Sequence, residues 1–172
     1  MPLTLLLGGA RSGKSRRAEE LALAHDGPVI YVATAPEISD DPEWTARIAT
    51  HRERRPASWT TLEAPLELAE TLRTQCHADT FVLVDCLTLW LSNWLHAGNT
   101  ASQAAETLER ILPKLPGRIV MVSNEVGSGV VPARASGRRF RDAQGVLNQR
   151  VAALADRVEL MVAGIPLTVK GR

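Results

Sequence analysis

The sequence predicts a three-layer α/β domain with a mostly parallel central sheet. Short runs that are apolar at every position recur along the chain, Leu3–Leu7, Val29–Ala33, Phe81–Val84 and Ile119–Val122 among them. Such runs belong to strands buried on both faces, which requires helices above and below the sheet. Segments with helical spacing or helix-start signals separate them, so strand and helix alternate. The first run also ends in a glycine pair that leads directly into a helical segment.

Taken in order, Leu3–Leu7 reads as the first strand and Lys14–Ala24 as the first helix. The turn Asp26-Gly27-Pro28 opens the second strand, Val29–Ala33. Asp41-Pro42 sets a capping aspartate before proline at the first helical position, so a helix should run from Pro42 to about Arg54. Trp59–Glu63 reads as a short strand, and Pro65 opens a helix carrying Leu66, Leu68, Ala69 and Leu72. Phe81–Asp85 is the clearest buried strand. An apolar helix follows it, with Leu87, Trp90, Leu91, Trp94 and Leu95 at helical spacing. Thr100 and Gln103 suit a capping box for a helix reaching Leu112. Ile119–Ser123 is the next strand, trailed by Gly127-Ser128-Gly129 and a long helix over Ser136–Ala155. Val158–Ala163 and Leu167–Val169 close the chain as strands.

The 172 residues suit one domain over 1–172, with no repeat or linker, and 45% hydrophobic content supports a substantial core. Twenty basic against nineteen acidic residues, a net charge of +1, argue against a nucleic-acid partner. No apolar run approaches the ~20 residues of a membrane span. Met1-Pro2-Leu3-Thr4 lacks the basic start of a signal peptide, so a cytoplasmic location is expected. Cys76 and Cys86 lie outside any C-x-x-C spacing and should pack as small hydrophobes.

Gly8-Gly9-Ala10-Arg11-Ser12-Gly13-Lys14-Ser15 matches G-x-x-x-x-G-K-[ST] in full, between a strand and a helix. The glycines let backbone N–H groups turn toward phosphate oxygens, and the helix N-terminus adds its dipole. Lys14 would neutralise the β- and γ-phosphates and Ser15 would ligate Mg²⁺. The fold class is thereby sharpened to a P-loop NTPase-type, RecA-like domain. Asp85, at the end of a buried strand, stands where such proteins carry an acid that holds Mg²⁺ through water; its alternative role is to cap the next helix. Thr34, Ala35 and Pro36 leave the second strand at the sheet's carboxyl edge, where ligands bind in open α/β sheets.

On a helix beginning at Pro42, Trp44, Ile48 and His51 share a face, and Arg47 and Arg55 flank His51 at i−4 and i+4. Guanidinium neighbours disfavour the imidazolium and keep the ring available as a nucleophile; the helix C-terminal dipole pulls the other way. The same arginines could hold a triphosphate. Glu125, in Ser123-Asn124-Glu125-Val126-Gly127, could orient an acceptor hydroxyl or act as a base, or simply cap its loop. Arg138-Arg139-Phe140-Arg141 is a basic helix start with either a solvated or a phosphate-binding role. His25, His77 and His96 read as surface residues, and the tryptophans as core or interface groups.

Together these motifs resemble the bifunctional adenosylcobinamide kinase/adenosylcobinamide-phosphate guanylyltransferase family over about Leu3 to Lys170. The resemblance rests on Gly8–Arg16, Tyr31-Val32-Ala33-Thr34, and Arg47-Ile48 with His51-Arg52 and Arg55-Pro56. It continues through Trp59 with Glu63, Val84-Asp85-Cys86-Leu87-Thr88, Asn124–Gly127, Gly129-Val130-Val131-Pro132, Phe140-Arg141-Asp142, Gly145 and Asn148-Gln149. It implies that His51 carries GMP covalently. It also implies that Gly9–Arg16, Thr34–Pro36, Arg52, Glu53, Arg54, Arg55, Glu63 and Asp85 line the nucleotide site. Expected substrates are adenosylcobinamide, its phosphate, and ATP or GTP, with Mg²⁺, in a homo-oligomer such as a trimer. A monofunctional small-molecule kinase would explain the P-loop and Asp85 but leave His51 idle. A nucleotide-switched nucleic-acid protein would need an aromatic–basic stripe that the sequence lacks.

Overall fold

The computed structural model describes residues 2–35, 42–53 and 55–171. Its elements are β1 (Leu3–Gly8), α1 (Lys14–Leu23), β2 (Val29–Ala33), α2 (Pro42–Glu53), β3 (Thr60–Glu63), α3 (Leu68–Gln75) and β4 (Phe81–Asp85). They continue with α4 (Leu87–His96), α5 (Ala101–Ile111), a 3₁₀ turn (Leu112–Lys114), β5 (Arg118–Asn124), α6 (Ala135–Leu154), β6 (Arg157–Val162) and β7 (Ile165–Lys170). The strands form one seven-stranded sheet in the order β3-β2-β4-β5-β1-β6-β7, parallel except for the β6–β7 hairpin.

Alternation along each strand splits the core into two layers, as the period-two geometry of strands requires. Leu3, Leu5, Ile30, Val32, Val82, Val84, Ile119 and Met121 face one side, where α3, α4, α5 and α6 supply Leu72, Trp90, Leu108 and Leu147. Leu6, Tyr31, Leu83, Val120 and Val122 face the other, against Ala18 and Ala22 of α1. Small residues on α1 bring its backbone close to the sheet, which seats the phosphate loop at its start. Cys76 and Cys86 are buried free thiols, as expected. Trp90 is fully buried and Trp94 packs on it, ring centroids 5.4 Å apart. Thr100 and Gln103 form both hydrogen bonds of the capping box that starts α5. His77 and His96 are exposed, whereas His25 is half-buried against Phe81 with its ring nitrogen 2.9 Å from the Asp79 carbonyl.

Two boundaries depart from expectation. Helix α3 begins at Leu68, not at Pro65. The Pro65 carbonyl accepts from Asn93 Nδ2 and the Leu66 carbonyl from Trp90 Nε1, both at 3.0 Å, so α4 draws these residues out of helical geometry. Helix α2 stops at Glu53, which removes Arg55 from its expected helical position four residues after His51. Pro56 disfavours helical backbone in the residue before it.

One charged side chain among the described residues is fully buried within a strand. Glu159 of β6 is fully buried, accepting from Arg17 Nε and Nη2 at 2.9 and 3.1 Å and from Arg157 Nε at 2.7 Å. Those hydrogen bonds, led by Arg17's, hold its carboxyl below the usual carboxylate range. The pair pins α1 across the strand beside β1. A depressed folded-state value stabilises the fold above the ordinary carboxylate range, and the contribution disappears as pH falls through that lowered value. Glu159→Gln should therefore cost about 2–4 kcal/mol near neutral pH, since it leaves guanidinium charge facing a neutral amide. Urea titrations should show the gap to the parent narrowing in acid; a gap independent of pH would contradict the assignment.

Candidate functional site

Strand β1 ends at Gly8, and the chain turns through residues 9–13 before α1 starts at Lys14. Gly8 and Gly13 adopt φ of 154° and 97°, and Arg11 of 55°. A Cβ on Gly8 would lie 2.5 Å from Ser12 Oγ and 2.7 Å from the Met161 carbonyl, so the turn closes only around glycine. Lys14 is buried, and its Nζ donates to the Gly9 carbonyl at 2.6 Å, lying back along the loop. Ser15 is half-buried beside it, while Gly9, Ala10, Arg11 and Arg16 are exposed; Arg16 pairs loosely with Glu20 at 3.7 Å. The β6–β7 turn braces this loop, because Gly164 N–H donates to the Ser12 carbonyl at 3.0 Å.

A second cluster stands on the same carboxyl edge of the sheet. Ala33 of β2 pairs with Glu63 of β3 on one side and Asp85 of β4 on the other. The Tyr31 hydroxyl donates to Asp85 Oδ2 at 2.9 Å. Burial, reinforced by the Asp85 carboxylate, pushes the Tyr31 phenol well above its ordinary value, so it remains a donor. The Arg55 guanidinium lies 3.5 Å from the centre of the Tyr31 ring, and Arg52 Nη2 meets Glu63 Oε1 at 2.7 Å. Arg55, beyond the end of the helix, thus covers the ring of Tyr31, the acid's hydrogen-bond partner.

Thr34 is fully buried; its hydroxyl donates to the Cys86 carbonyl at 2.7 Å and accepts from the Cys86 N–H at 2.8 Å. Its carbonyl accepts from Asn93 Nδ2 at 2.9 Å, so Thr34 clamps the strand end that carries Asp85. Ala35 follows, half-buried, and Glu53 is exposed at the end of α2. His51 lies on α2, immediately before Arg52; the side chains of His51, Trp44 and Arg47, and all of Pro36 and Arg54, lie outside the described residues. The Cys86 thiol, raised to about 11 chiefly by burial, stays protonated at neutral pH and is no rival nucleophile.

Strand β5 separates β4 from β1, so the acid and the phosphate loop stand two strand spacings apart, roughly 10 Å. The end of β5 is tied to the loop, since Glu125 N–H donates to the Gly8 carbonyl at 2.9 Å. Beneath it, Ser123, Gln144 and Asn148 form a buried hydrogen-bonded group, and Asn148 Nδ2 donates to the Asn124 carbonyl at 3.1 Å. The Glu125 carboxylate is turned back to the Gly127 N–H, the loop-capping alternative. A hollow lined by Pro2, Pro116 and Arg118 opens at the opposite edge, away from this chemistry.

Tyr31, Asn93 and the Gly164 turn support the site without a role having been foreseen for them. Tyr31 is the lone hydroxyl in the apolar run Val29–Ala33, a signal that could have found it; nothing local points to the other two.

Phosphate loop, strand order and strand-end acid define a P-loop nucleotide-binding protein of RecA-like architecture. The family model described as cobinamide kinase / cobinamide phosphate guanyltransferase matches residues 4–169. The chain is 51% identical over 169 residues to the bifunctional adenosylcobalamin biosynthesis protein CobP of Pseudomonas aeruginosa, covering 97% of this chain and 96% of that one. It is 39% identical over 184 aligned positions to the bifunctional protein CobU of Salmonella typhimurium, covering 98% and 99%. Among solved structures it is similar to the ATPase EscN of the enteropathogenic Escherichia coli type III secretion system. That match has a TM-score of 0.57 and 11% identity, over 94% of this chain and 43% of that one. A Pyrococcus horikoshii protein matches with a TM-score of 0.58 at 9% identity, over 99% and 86%. At such identities the structural likeness is one of fold alone. The chain belongs to the cobinamide kinase / cobinamide phosphate guanyltransferase family and is a transferase of cobalamin biosynthesis, with kinase and guanylyltransferase activities. No helix among the described residues is long and apolar enough to cross a membrane.

Proposed function

We propose that both transfers run along one crevice at the carboxyl edge of the sheet, with the phosphate loop at one end and α2 at the other. In the first, the aminopropanol hydroxyl of adenosylcobinamide attacks the γ-phosphate of ATP or GTP, releasing the nucleoside diphosphate. In the second, a ring nitrogen of His51 attacks the α-phosphorus of GTP; a P–N bond forms, the bond to pyrophosphate breaks, and pyrophosphate leaves. The phosphate of adenosylcobinamide phosphate then displaces the imidazole, giving adenosylcobinamide-GDP and free His51. The observation that carries this reading is that the phosphate loop and the Arg52–Glu63 and Arg55–Tyr31–Asp85 contacts share one sheet edge.

Residues 9–15 would hold the β- and γ-phosphates with backbone N–H groups and Lys14, which must leave the Gly9 carbonyl to reach them. Arg52 and Arg55, already oriented by Glu63 and the Tyr31 ring, would face the nucleotide as α2 delivers His51. Ser15 and Asp85 offer only oxygen donors, the set that suits Mg²⁺ shared with substrate phosphates. Bound there, the ion would supply charge neutralisation to the phosphates. Asp85→Asn should retain the fold yet raise the Mg²⁺ concentration needed for half-maximal turnover several-fold; superimposed Mg²⁺ titrations of variant and parent would reduce Asp85 to a helix cap.

Self-association, as a trimer or another homo-oligomer, is part of this reading. It would cover the exposed Ile165, Leu167 and Val169 of edge strand β7. Separating corrinoid products by chromatography tests the reaction order. With ATP and Mg²⁺ the phosphate should accumulate, and with GTP the GDP-linked product should form. Phosphate alone under GTP would leave a monofunctional kinase.

A further inference from the structure

We propose that loop 126–134 and the first turns of α6 form the docking shelf for the corrinoid acceptor. The macrocycle would rest on Val130 and Val131, and the acceptor's phosphate would meet Arg134 and Arg139. This rests on the function proposed above. Val130 is 96% exposed and Val131 57%, two adjacent apolar side chains held in water. The loop that carries them is braced. Arg138 Nη1 donates to the Pro132 and Ala133 carbonyls at 3.0 and 2.6 Å, and Gly127 N–H donates to the Glu125 carboxylate. Gly137 lets Pro132 pack closely, since a Cβ there would lie 2.8 Å from Pro132 Cβ. Those contacts fix backbone while leaving the valines uncovered, the arrangement of a preformed binding surface.

Its position matches the chemistry. The loop leaves β5 at Glu125, whose N–H is bonded to Gly8 of the phosphate loop, so a molecule lying on it can extend a short arm to the transferred phosphate. The acceptor is a broad corrin with methyl groups on its ring and an aminopropanol arm that becomes a phosphate monoester. The segment offers both complements: apolar area at Val130 and Val131 and, further along the chain at Arg134 and Arg139, two exposed guanidinium groups with no ion-pair partner among the described residues.

The test is steady-state kinetics of a Val130→Ser/Val131→Ser double variant, with adenosylcobinamide varied at saturating GTP. Solvent-exposed sites tolerate these changes, so folding should be preserved. Burial of the two valines against the ring predicts an acceptor KM raised at least about tenfold, with kcat and the KM for GTP within about twofold of the parent. Arg139→Glu should raise the KM for adenosylcobinamide phosphate in guanylyl transfer more than that for adenosylcobinamide in the kinase step. An unmoved acceptor KM overturns the shelf, and so does a KM rise accompanied by a lower sedimentation mass, which would make the loop a contact between copies of the chain. Absence of turnover in the parent would instead refute the underlying function.

Discussion

His51→Ala is expected to abolish guanylyl transfer while leaving phosphorylation of adenosylcobinamide largely intact. In the proposed reaction the kinase step would use the phosphate loop, the Ser15 and Asp85 oxygens and the acceptor shelf, none of them on α2. His51 belongs to α2, whose Arg52 is tied to Glu63 of β3 and beyond whose end Arg55 lies over the Tyr31 ring of β2. The attacking form is the neutral imidazole, so GMP transfer should weaken as pH falls through the range in which histidine protonates. Full guanylyl transfer in His51→Ala would place the nucleophile elsewhere. Equal loss of both activities in a folded variant would make His51 a shared binding residue.

Lys14→Ala should lower kinase turnover at least ~100-fold, as expected when a charge facing the transferred phosphate is removed from a preorganised site. The structure adds a reason to expect a clean effect. The ammonium donates to the Gly9 carbonyl of its own loop and its side chain is buried. Replacement leaves that carbonyl on an exposed turn where water can bond it, so the fold should survive. Near-parental kinase activity in the folded variant would contradict the assignment. Circular dichroism and the urea midpoint separate that case from unfolding.

How much of this could be read from the chain depended on sequence separation. The phosphate loop, the α5 capping box and the buried strands β2 and β4 are set by residues within a few positions of one another, and they appear where expected. The carboxyl-edge location of Thr34, Glu63, Asp85 and Glu125 also followed, because each ends or directly follows a parallel strand. What those side chains do there did not follow. Tyr31 meets Asp85, and Thr34 meets Cys86, only because β2 pairs with β4 in one register. Gly164 reaches the phosphate loop only because β6 lies beside β1. The start of α3 was misread for the same reason, as α4 supplies the hydrogen bonds that hold Pro65 and Leu66 out of the helix. Glu159 was the most recoverable miss. A carboxylate inside an apolar strand requires a buried cation, and the arginine pair in the first two turns of α1 was available.

Mass spectrometry of the protein after incubation with GTP and Mg²⁺ tests a covalent GMP on His51 most directly. One GMP per chain should appear and map by peptide fragmentation to His51 within residues 42–53. It should be lost in mild acid and retained in base, as a P–N bond requires, and discharged on addition of adenosylcobinamide phosphate. An unmodified chain, or GMP on any other residue, would contradict it.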